Sequence, residues 1–367
     1  MQTTNALRED AAMSAIRVVM ADDSQLARDV LRDILTRDGD IEIVGEASNG
    51  REAVELARRL SPQLITMDLN MPVMDGLSAI EEIMHTKGVP ILVVSDRSDA
   101  ETAYRALDVG ALEVMQKPTI DDEDAQRLLE RVRLLSGVAV ITRLRRRSTS
   151  AMPVASVNAP PVYHHTMPKA FQRIIAIACS TGGPQALAHL LSKLPANFPA
   201  PVVIAQHISH GFIEGMAHWL TSLCSMPVRV AQHGEPLKPS CIYLSPSESN
   251  LHVTPYHRLQ LQQSPDNSLY HPSCDALLTS VADVYGPEAI GVILTGMGRD
   301  GVNGMRAIHL SGGNTFAQNE ASSVIYGMNQ EAVSAGVIQH VISLDELPER
   351  LIRETSGQQL SSWTKPL

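Results

Sequence analysis

The chain has 367 residues, of which 44% are hydrophobic and 19% are charged, and its formal net charge is −10. This composition is typical of folded globular domains, and the length allows two of them. The acidic balance disfavours a nucleic-acid-binding surface, and no apolar run reaches the roughly eighteen residues of a membrane-spanning helix. Four widely spaced cysteines without a CxxC pair exclude the usual disulfide and zinc frameworks. Because the first residues also lack a signal-peptide pattern, we expect a cytoplasmic protein that neither binds nucleic acid nor inserts into a membrane.

Residues 15–135 alternate short apolar runs with helix-period stretches. The runs IRVVM, IEIVG, LITM, ILVV and ALEVM are each followed by such a stretch. This pattern predicts a five-stranded parallel α/β domain. Ser24 is expected to cap the first helix, which buries Leu26, Val30, Leu31 and Ile34 on a shared face.

Three carboxylates follow the predicted strands of this domain. Asp22 and Asp23 end the first strand, and Asp68 ends the third. Carboxyl ends of parallel strands meet at one sheet edge, where like charges so close together need a cation. Carboxylate oxygens and a backbone carbonyl, assigned to Asn70, suit Mg²⁺, which keeps waters for a phosphoryl group.

Two further polar residues end strands at the same predicted edge. Lys117 follows the fifth strand and supplies a positive charge opposite the carboxylates. Ser95 ends the fourth strand, where its hydroxyl can bind a phosphoryl oxygen. Alternatively, the acidic edge only binds a metal or caps helices.

A second domain is predicted after a linker. Residues 136–168 are rich in Ser, Pro and Ala without a sustained period, and we assign them to the linker. Strands and helices alternate again over 169–355, which predicts a doubly wound, mostly parallel α/β domain. The stretch CIYLSPSESNLHVTPYHRLQLQQ predicts a small antiparallel insert. Residues 356–367 are assigned to a tail.

Ser180 closes the apolar strand IIAIAC and precedes TGGPQALAHLL, so its hydroxyl is expected where a strand meets a helix N-terminus. Two other strand ends carry His207, after PVVIAQ, and Asp300, in GMGRDG. These loops gather at one sheet edge, so the spacing predicts a nucleophile, a base and an orienting carboxylate. The amide of Met297 is a predicted oxyanion donor.

Other interpretations of the second domain remain open. STGG and GMGRDG are also compatible with phosphate-binding loops in a nucleotide-binding domain, although neither has a GxGxxG or GKS/T pattern. A non-catalytic signalling protein, with the first domain as a phosphate sink and the second as a receptor-binding module, is a further alternative.

The motifs MADD, MDLNMPVMDG, VVS and QKP resemble the flavodoxin-like receiver domain of bacterial response regulators. The resemblance implies that Asp68 accepts a phosphoryl group from a histidine kinase. Val114 stands where the family usually has an aromatic residue, and Asp96 stands where a small residue is commoner. These two departures bear on signal transmission and on the lifetime of the phosphoryl group.

The second domain, with CSTGGP, AQHI, HPSCDALL, LTGMGRDG and AQNEASSVIYGM in this order, resembles the chemotaxis protein-glutamate methylesterases. The resemblance implies hydrolysis of γ-glutamyl methyl esters, and deamidation of glutamines, on the cytoplasmic helices of methyl-accepting chemoreceptors. It also implies phosphorylation by the chemotaxis histidine kinase and inhibition by the unphosphorylated receiver. Magnesium is the only cofactor expected, none is expected for the esterase, and we expect a monomer. Ser247 and Asn250 depart from the family's glycine and histidine.

Overall fold

The computed structural model describes residues 15–96, 100–119, 122–138, 171–263 and 272–356. The chain divides into two compact units, one within residues 1–144 and the other within residues 145–367. Beyond residue 138, the predicted linker lies outside the described residues, as does the predicted tail beyond residue 356. The domain bounds 15–135 and 169–355 therefore stay predictions.

The first unit contains the predicted parallel sheet, with strand order β2-β1-β3-β4-β5. Strands β3 and β4 are buried throughout, as expected when helices cover both faces of a parallel sheet. The carboxyl ends of β1, β3, β4 and β5 therefore share one edge. The elements are β1 (Ile16–Ala21), α1 (Gln25–Leu35), β2 (Ile41–Ala47), α2 (Gly50–Leu60), β3 (Leu64–Met67), α3 (Gly76–Thr86), β4 (Ile91–Ser95), α4 (Ala100–Val109), β5 (Glu113–Gln116) and α5 (Asp122–Ser136).

Helix α1 matches the prediction at its start but not over its whole buried face. The Ser24 side chain accepts an amide proton from the first turn, as predicted. The buried residues are Leu31, Ile34 and Leu35, whereas Leu26 is 75% exposed. At 3.6 residues per turn, Leu26 lies about 140° around the helix from Leu31. The prediction that Leu26 faces the core is therefore wrong.

The second unit has a parallel sheet with strand order β14-β13-β12-β6-β7-β9-β8 and a separate antiparallel pair, β10-β11. Both the α/β class and the small antiparallel insert are confirmed, although β9, from the same stretch, joins the parallel sheet. The elements are β6 (Ile174–Cys179), α6 (Gly183–Leu191), β7 (Val202–Gln206), α7 (Ile213–Leu223), β8 (Val228–Val230), β9 (Ile242–Leu244), β10 (Ser249–Val253), β11 (Leu259–Gln263), α8 (Cys274–Tyr285), β12 (Ala289–Ile293), α9 (Val302–Leu310), β13 (Asn314–Gln318), α10 (Met328–Ser334), β14 (His340–Ile342) and α11 (Leu347–Thr355).

The strand order of the second unit marks where a ligand site is expected. The chain starts the sheet at β6, adds β7, β9 and β8 on one side, and then returns to add β12, β13 and β14 on the other. The order reverses between β6 and β12, and open α/β sheets bind ligands at such switch points. None of the helices in the described part of the chain has the length and apolarity needed to cross a bilayer.

Candidate functional site

Ser180 lies at the switch point of the second sheet, directly after β6. Cys179 pairs with Gln206 of β7, so Ser180 and His207 leave neighbouring strands at the same level. The His207 amide donates to the Cys179 carbonyl (3.1 Å), and the Ser180 amide donates to the Thr295 carbonyl after β12 (3.1 Å). Ser180 is 2% exposed. Hydrogen bonds to both neighbouring strands therefore fix the predicted nucleophile.

Gln206 reinforces this junction and was missed by the sequence analysis. Its side-chain amide donates to the backbone carbonyl of Ser180 (2.9 Å) and to that of His207 (2.7 Å). The available signal was a polar residue at the end of the otherwise apolar run PVVIAQ. A buried amide that links two strand ends limits their relative movement.

The structure brings His207 and Asp300 together. His207 Nε2 lies 2.8 Å from Asp300 Oδ2, and the two side chains are 8% and 4% exposed. An ionised carboxylate only accepts hydrogen bonds, so Nε2 carries the proton and Nδ1 is the basic nitrogen of the neutral ring. The two residues predicted as base and orienting carboxylate are therefore in contact, and their catalytic roles stay predictions.

The N-terminus of α8 holds the Asp300 carboxylate. The Cys274 amide donates to Oδ2 (2.6 Å), the Asp275 amide donates to Oδ1 (2.9 Å), and the Ser273 hydroxyl donates to Oδ1 (3.2 Å). Burial raises the pKa of Asp300, but the hydrogen bonds from His207 and the α8 amides outweigh it and hold the pKa below its usual value. Asp300 is therefore a fixed anion.

The Cys274 thiol lies beside this pair. Its sulfur is 3.5 Å from the Ala205 carbonyl and 3.5 Å from His207 Nε2. The donor atoms of Cys274, His207 and Asp300 lie within 4.8 Å of one another, as they do in metal sites. Burial raises the pKa of Cys274 well above its usual value, so without a metal the sulfur is a protonated thiol. We assign the sulfur to hydrogen bonding and packing.

Two glycines let backbone approach Ser180 closely. A Cβ on Gly296 would lie 2.7 Å from the Ser180 Cβ and 3.0 Å from its amide nitrogen, so only glycine fits there. Gly182 precedes α6 with φ of 75°, a conformation that favours glycine. Met297 follows Gly296 and is 49% exposed. Its amide is thus in the segment next to Ser180, and its role as oxyanion donor stays a prediction.

Two amides of the GMGRDG loop, those of Gly296 and Gly301, form hydrogen bonds within the protein. The Gly296 amide donates to the Ile325 carbonyl (3.1 Å), and the Gly301 amide donates to Asp275 Oδ1 (2.9 Å). Loops that hold phosphate need such amides pointing at the ligand. These contacts disfavour the nucleotide-binding alternative.

The first unit has a charged cluster at the carboxyl edge of its sheet. Lys117 Nζ lies 2.8 Å from Asp22 Oδ2, 3.2 Å from Asp68 Oδ1 and 3.9 Å from Asp96 Oδ2. Asp22 and Asp68 are buried, whereas the Asp96 side chain is 66% exposed. The lysine thus shares its charge among three carboxylates.

Burial and charge shift both members of the central pair. Burial, together with the charge of Asp22, raises the pKa of Asp68 to about 6, although Lys117 opposes this shift. Burial lowers the pKa of Lys117, but its hydrogen bond to Asp22 and the charge of Asp68 leave it raised overall. The cluster retains excess negative character that a cation can relieve.

The residues at this edge fit Mg²⁺. Carboxylate oxygens of Asp22, Asp23 and Asp68 lie within 4.8 Å of one another. Mg²⁺ binds carboxylate oxygens, so this group could hold the ion. Asn70, two residues after Asp68, is exposed. That its backbone carbonyl binds the ion stays a prediction. The Ser95 hydroxyl is buried and has no hydrogen-bond partner among the described residues, which suits a phosphoryl oxygen.

The structure shows the surroundings of two residues that depart from the expected motifs, Val114 and Asn250. Val114 is half-buried in β5 and pairs with Val93 of β4. The Asn250 side chain accepts a hydrogen bond from the Ser273 amide (2.8 Å) and so connects the antiparallel insert to the cap of α8. The change at 250 therefore touches the segment that holds Asp300.

Comparison with known proteins gives consistent results for both units. The CheB methylesterase family model matches residues 175–351, and the response regulator receiver domain model matches residues 18–133. The chain is 49% identical over 347 residues to protein-glutamate methylesterase/protein-glutamine glutaminase 3 of Paramagnetospirillum magneticum, covering 94% of this chain and 98% of that protein. It is 43% identical over 349 residues to protein-glutamate methylesterase/protein-glutamine glutaminase 4 of Myxococcus xanthus, covering 93% and 98%.

Among solved structures, the CheB methylesterase catalytic domain of Thermotoga maritima shares 34% identity with a TM-score of 0.48, covering 49% of this chain and 97% of that one. The full-length relatives match both units at once, in the same order along the chain. The chain therefore belongs to the family of protein-glutamate methylesterases/protein-glutamine glutaminases that carry a receiver domain.

Proposed function

We propose that the second unit hydrolyses γ-glutamyl methyl esters of chemoreceptors, with Ser180 as nucleophile, His207 as base and Asp300 as the orienting carboxylate. The observation that carries this proposal is the 2.8 Å contact between His207 and Asp300, at the switch point where Ser180 leaves the neighbouring strand. The names of the relatives supply the glutamate methyl ester of a protein as the substrate, and the resemblance of the second domain's motifs supplies the chemoreceptors.

The first chemical step forms an acyl-enzyme. Because Nε2 of His207 donates to Asp300, Nδ1 takes the proton as Ser180 Oγ attacks the ester carbonyl carbon. The carbonyl oxygen becomes an oxyanion. Backbone amides near Gly296 stabilise it by donating hydrogen bonds, and the predicted donor is the amide of Met297. His207 then protonates the leaving methoxide, and methanol departs. Asp300 stays ionised and stabilises the imidazolium.

The second step restores the enzyme. A water molecule gives one proton to His207 and attacks the acyl carbon, and His207 passes that proton to Ser180 Oγ as the bond to the acyl group breaks. The product glutamic acid side chain then releases its remaining proton to solvent. A glutamine side chain follows the same course with ammonia as the leaving group, which accounts for the glutaminase activity named for the relatives.

Methanol release from methylated chemoreceptor membranes tests the chemistry. Ser180→Ala is expected to lower the rate by about 10³-fold or more, because it removes the nucleophile. Ser192→Ala is the matched control, since this exposed serine lies at the end of α6. Wild-type methanol release by folded Ser180→Ala would exclude Ser180 as nucleophile, and no release by wild type would favour the non-catalytic alternative.

We further propose that a phosphoryl group on Asp68, received from the chemotaxis histidine kinase with Mg²⁺ held by Asp22, Asp23 and Asp68, activates hydrolysis. Support comes from the buried Ser95 hydroxyl, the shared Lys117 charge and the carboxylate spacing. Lys117 and Ser95 would bind the phosphoryl oxygens, and Mg²⁺ would neutralise the developing charge.

Phosphodonor dependence tests this regulation. Acetyl phosphate with Mg²⁺ is expected to raise the methanol-release rate of wild type but not of Asp68→Asn, whereas Asp33→Asn, an exposed residue of α1, responds normally. Equal activation of Asp68→Asn would exclude Asp68 as the acceptor.

Because the proposed substrates are cytoplasmic receptor helices, we place the protein in the cytoplasm. We also propose that it is a monomer, which light scattering can test.

A further inference from the structure

The N-termini of α8 and α9 are connected by reciprocal hydrogen bonds, in which an aspartate of each N-terminus accepts backbone amides of the other. Asp300 precedes α9 and accepts the amides of Cys274 and Asp275 at the start of α8. In return, Asp275 Oδ1 accepts the amides of Gly301 (2.9 Å) and Gly304 (2.8 Å) at the start of α9. Two amides at the N-terminus of each helix are therefore satisfied by the aspartate at the N-terminus of the other helix.

The hydrogen bonds that the Asp275 carboxylate accepts fix the backbone next to Asp300. The Gly301 amide belongs to the peptide unit that joins it to Asp300, so its bond to Asp275 determines the direction in which the chain leaves Asp300. Gly301 is the cap residue of α9 and has no side chain of its own to supply the acceptor. Asp275 Oδ2 also accepts a hydrogen bond from the Asn303 side chain (2.9 Å), which holds its carboxylate plane.

We propose that Asp275 is a positioning residue for ester hydrolysis: it anchors the start of α9 so that Asp300 stays aligned with His207. The inference rests on the proposed function of Ser180, His207 and Asp300. Asp275 touches neither His207 nor Ser180 in any hydrogen bond described, so it acts through the Asp300 backbone. The Asp275 carboxylate is needed as a hydrogen-bond acceptor that positions the start of α9, and it takes no part in the reaction.

This role predicts a specific kinetic signature. Asp275→Ala keeps the backbone amide that Asp300 uses but removes the acceptor for Gly301 and Gly304. Displacing a catalytic group by about 1 Å costs up to about 10²-fold, so we expect kcat to fall about 10- to 100-fold while KM changes less than about twofold. Asp275→Asn retains one acceptor oxygen for both amides and is expected to recover most of kcat.

The experiment measures kcat and KM for methanol release from methylated receptor membranes by the full chain activated with acetyl phosphate. Circular dichroism at the assay temperature gives the folded fraction, to which rates are normalised. Asp283→Ala is the matched control, because this exposed aspartate lies on the same helix. If Asp275→Ala does not fold, Asp275→Ser replaces it, since a serine hydroxyl can accept one of the two amides.

The outcomes separate this inference from the function on which it rests. A fall in kcat at unchanged KM, with recovery in Asp275→Asn, supports the positioning role. Wild-type kcat in folded Asp275→Ala or Asp275→Ser, or a rate that only follows the folded fraction, overturns it. If Ser180→Ala releases methanol at the wild-type rate, the proposed function fails, whatever Asp275 does.

Discussion

Replacing Asp300 with asparagine tests the candidate active site most sharply, because every acceptor position of its carboxylate is used. Oδ2 accepts from His207 and from the Cys274 amide, and Oδ1 accepts from the Asp275 amide and the Ser273 hydroxyl. In either orientation of an asparagine side chain, its NH₂ group faces a backbone amide of α8. The nearly isosteric Asp300→Asn variant therefore places donor against donor.

The expected effect on activity is large. Asparagine can still accept from His207 if its oxygen replaces Oδ2, but it carries no charge to stabilise the imidazolium. By analogy with other triads, in which this change lowers kcat about 10⁴-fold, we expect a loss of about 10³- to 10⁴-fold. KM should change little, since Asp300 contacts His207 and is only 5% exposed.

The same variant should also be less stable at neutral pH. One buried amide without an acceptor costs about 1–3 kcal/mol. The pKa of Asp300 lies below its usual value in the folded state, so its charge stabilises the fold above the unfolded-state pKa, and this stabilisation is lost as the pH falls through the folded-state pKa. The difference in unfolding free energy between wild type and Asp300→Asn is therefore expected to shrink on acidification.

Methanol release and urea unfolding at several pH values check both expectations, with Asp283→Asn as the matched control on α8. A folded Asp300→Asn variant that keeps kcat within tenfold of wild type would refute the assigned role of the carboxylate. A stability difference that does not shrink on acidification would refute the account of how the α8 amides hold its charge.

Removal of Mg²⁺ by a chelator should lower the thermal stability of the first unit, since an ion at 100 times its Kd adds about 2.7 kcal/mol, and Asp23→Asn should weaken this response. Because burial raises the pKa of Asp68 to about 6, protons compete with the metal below that pH, and Mg²⁺ affinity measured by calorimetry should rise as the pH increases through it. An affinity that stays constant over this range would contradict the assignment. Gly296→Ala should lower the methanol-release rate at least about 10²-fold, because its Cβ would lie 2.7 Å from that of Ser180. Gly137→Ala, whose Cβ would meet only a carbonyl at 3.8 Å, should behave as wild type, and an active Gly296→Ala would contradict the close approach.

The parts of the molecule that could be predicted from sequence follow from local patterns. Apolar runs at regular intervals specified the strands of both units, and parallel topology then placed the residues after those strands at one edge. Ser180, His207 and Asp68 were predicted as site residues in this way, and each directly follows a strand in the structure. The same reasoning missed that Leu26 is exposed, since several apolar positions of α1 can form a face and only packing selects among them.

Contacts between distant segments could not be predicted from such patterns. Asp275 and Asp300 are 25 residues apart, and no period links a residue in the first turn of one helix to the amides of another. Gln206 looked like the ordinary end of a strand, and only the fold shows that its amide joins two carbonyls. Gln206 and Asp275 form hydrogen bonds to the backbone of residues next to or within the candidate site, and such contacts depend on the three-dimensional fold.

Asp68 and Asp300 show how surroundings separate two residues of the same type. Both lie at the carboxyl edge of a parallel sheet and are 4% and 5% exposed, and burial raises the pKa of each. Asp300 receives two helix amides, a hydroxyl and an imidazole, which outweigh burial, so its pKa lies below its usual value. Asp68 shares one lysine with Asp22, so burial prevails and its pKa rises to about 6. The first carboxylate is suited to the electrostatic support that we propose for it, and the second to the metal-assisted phosphoryl acceptance that we propose for Asp68, because a cation would offset the effect of burial.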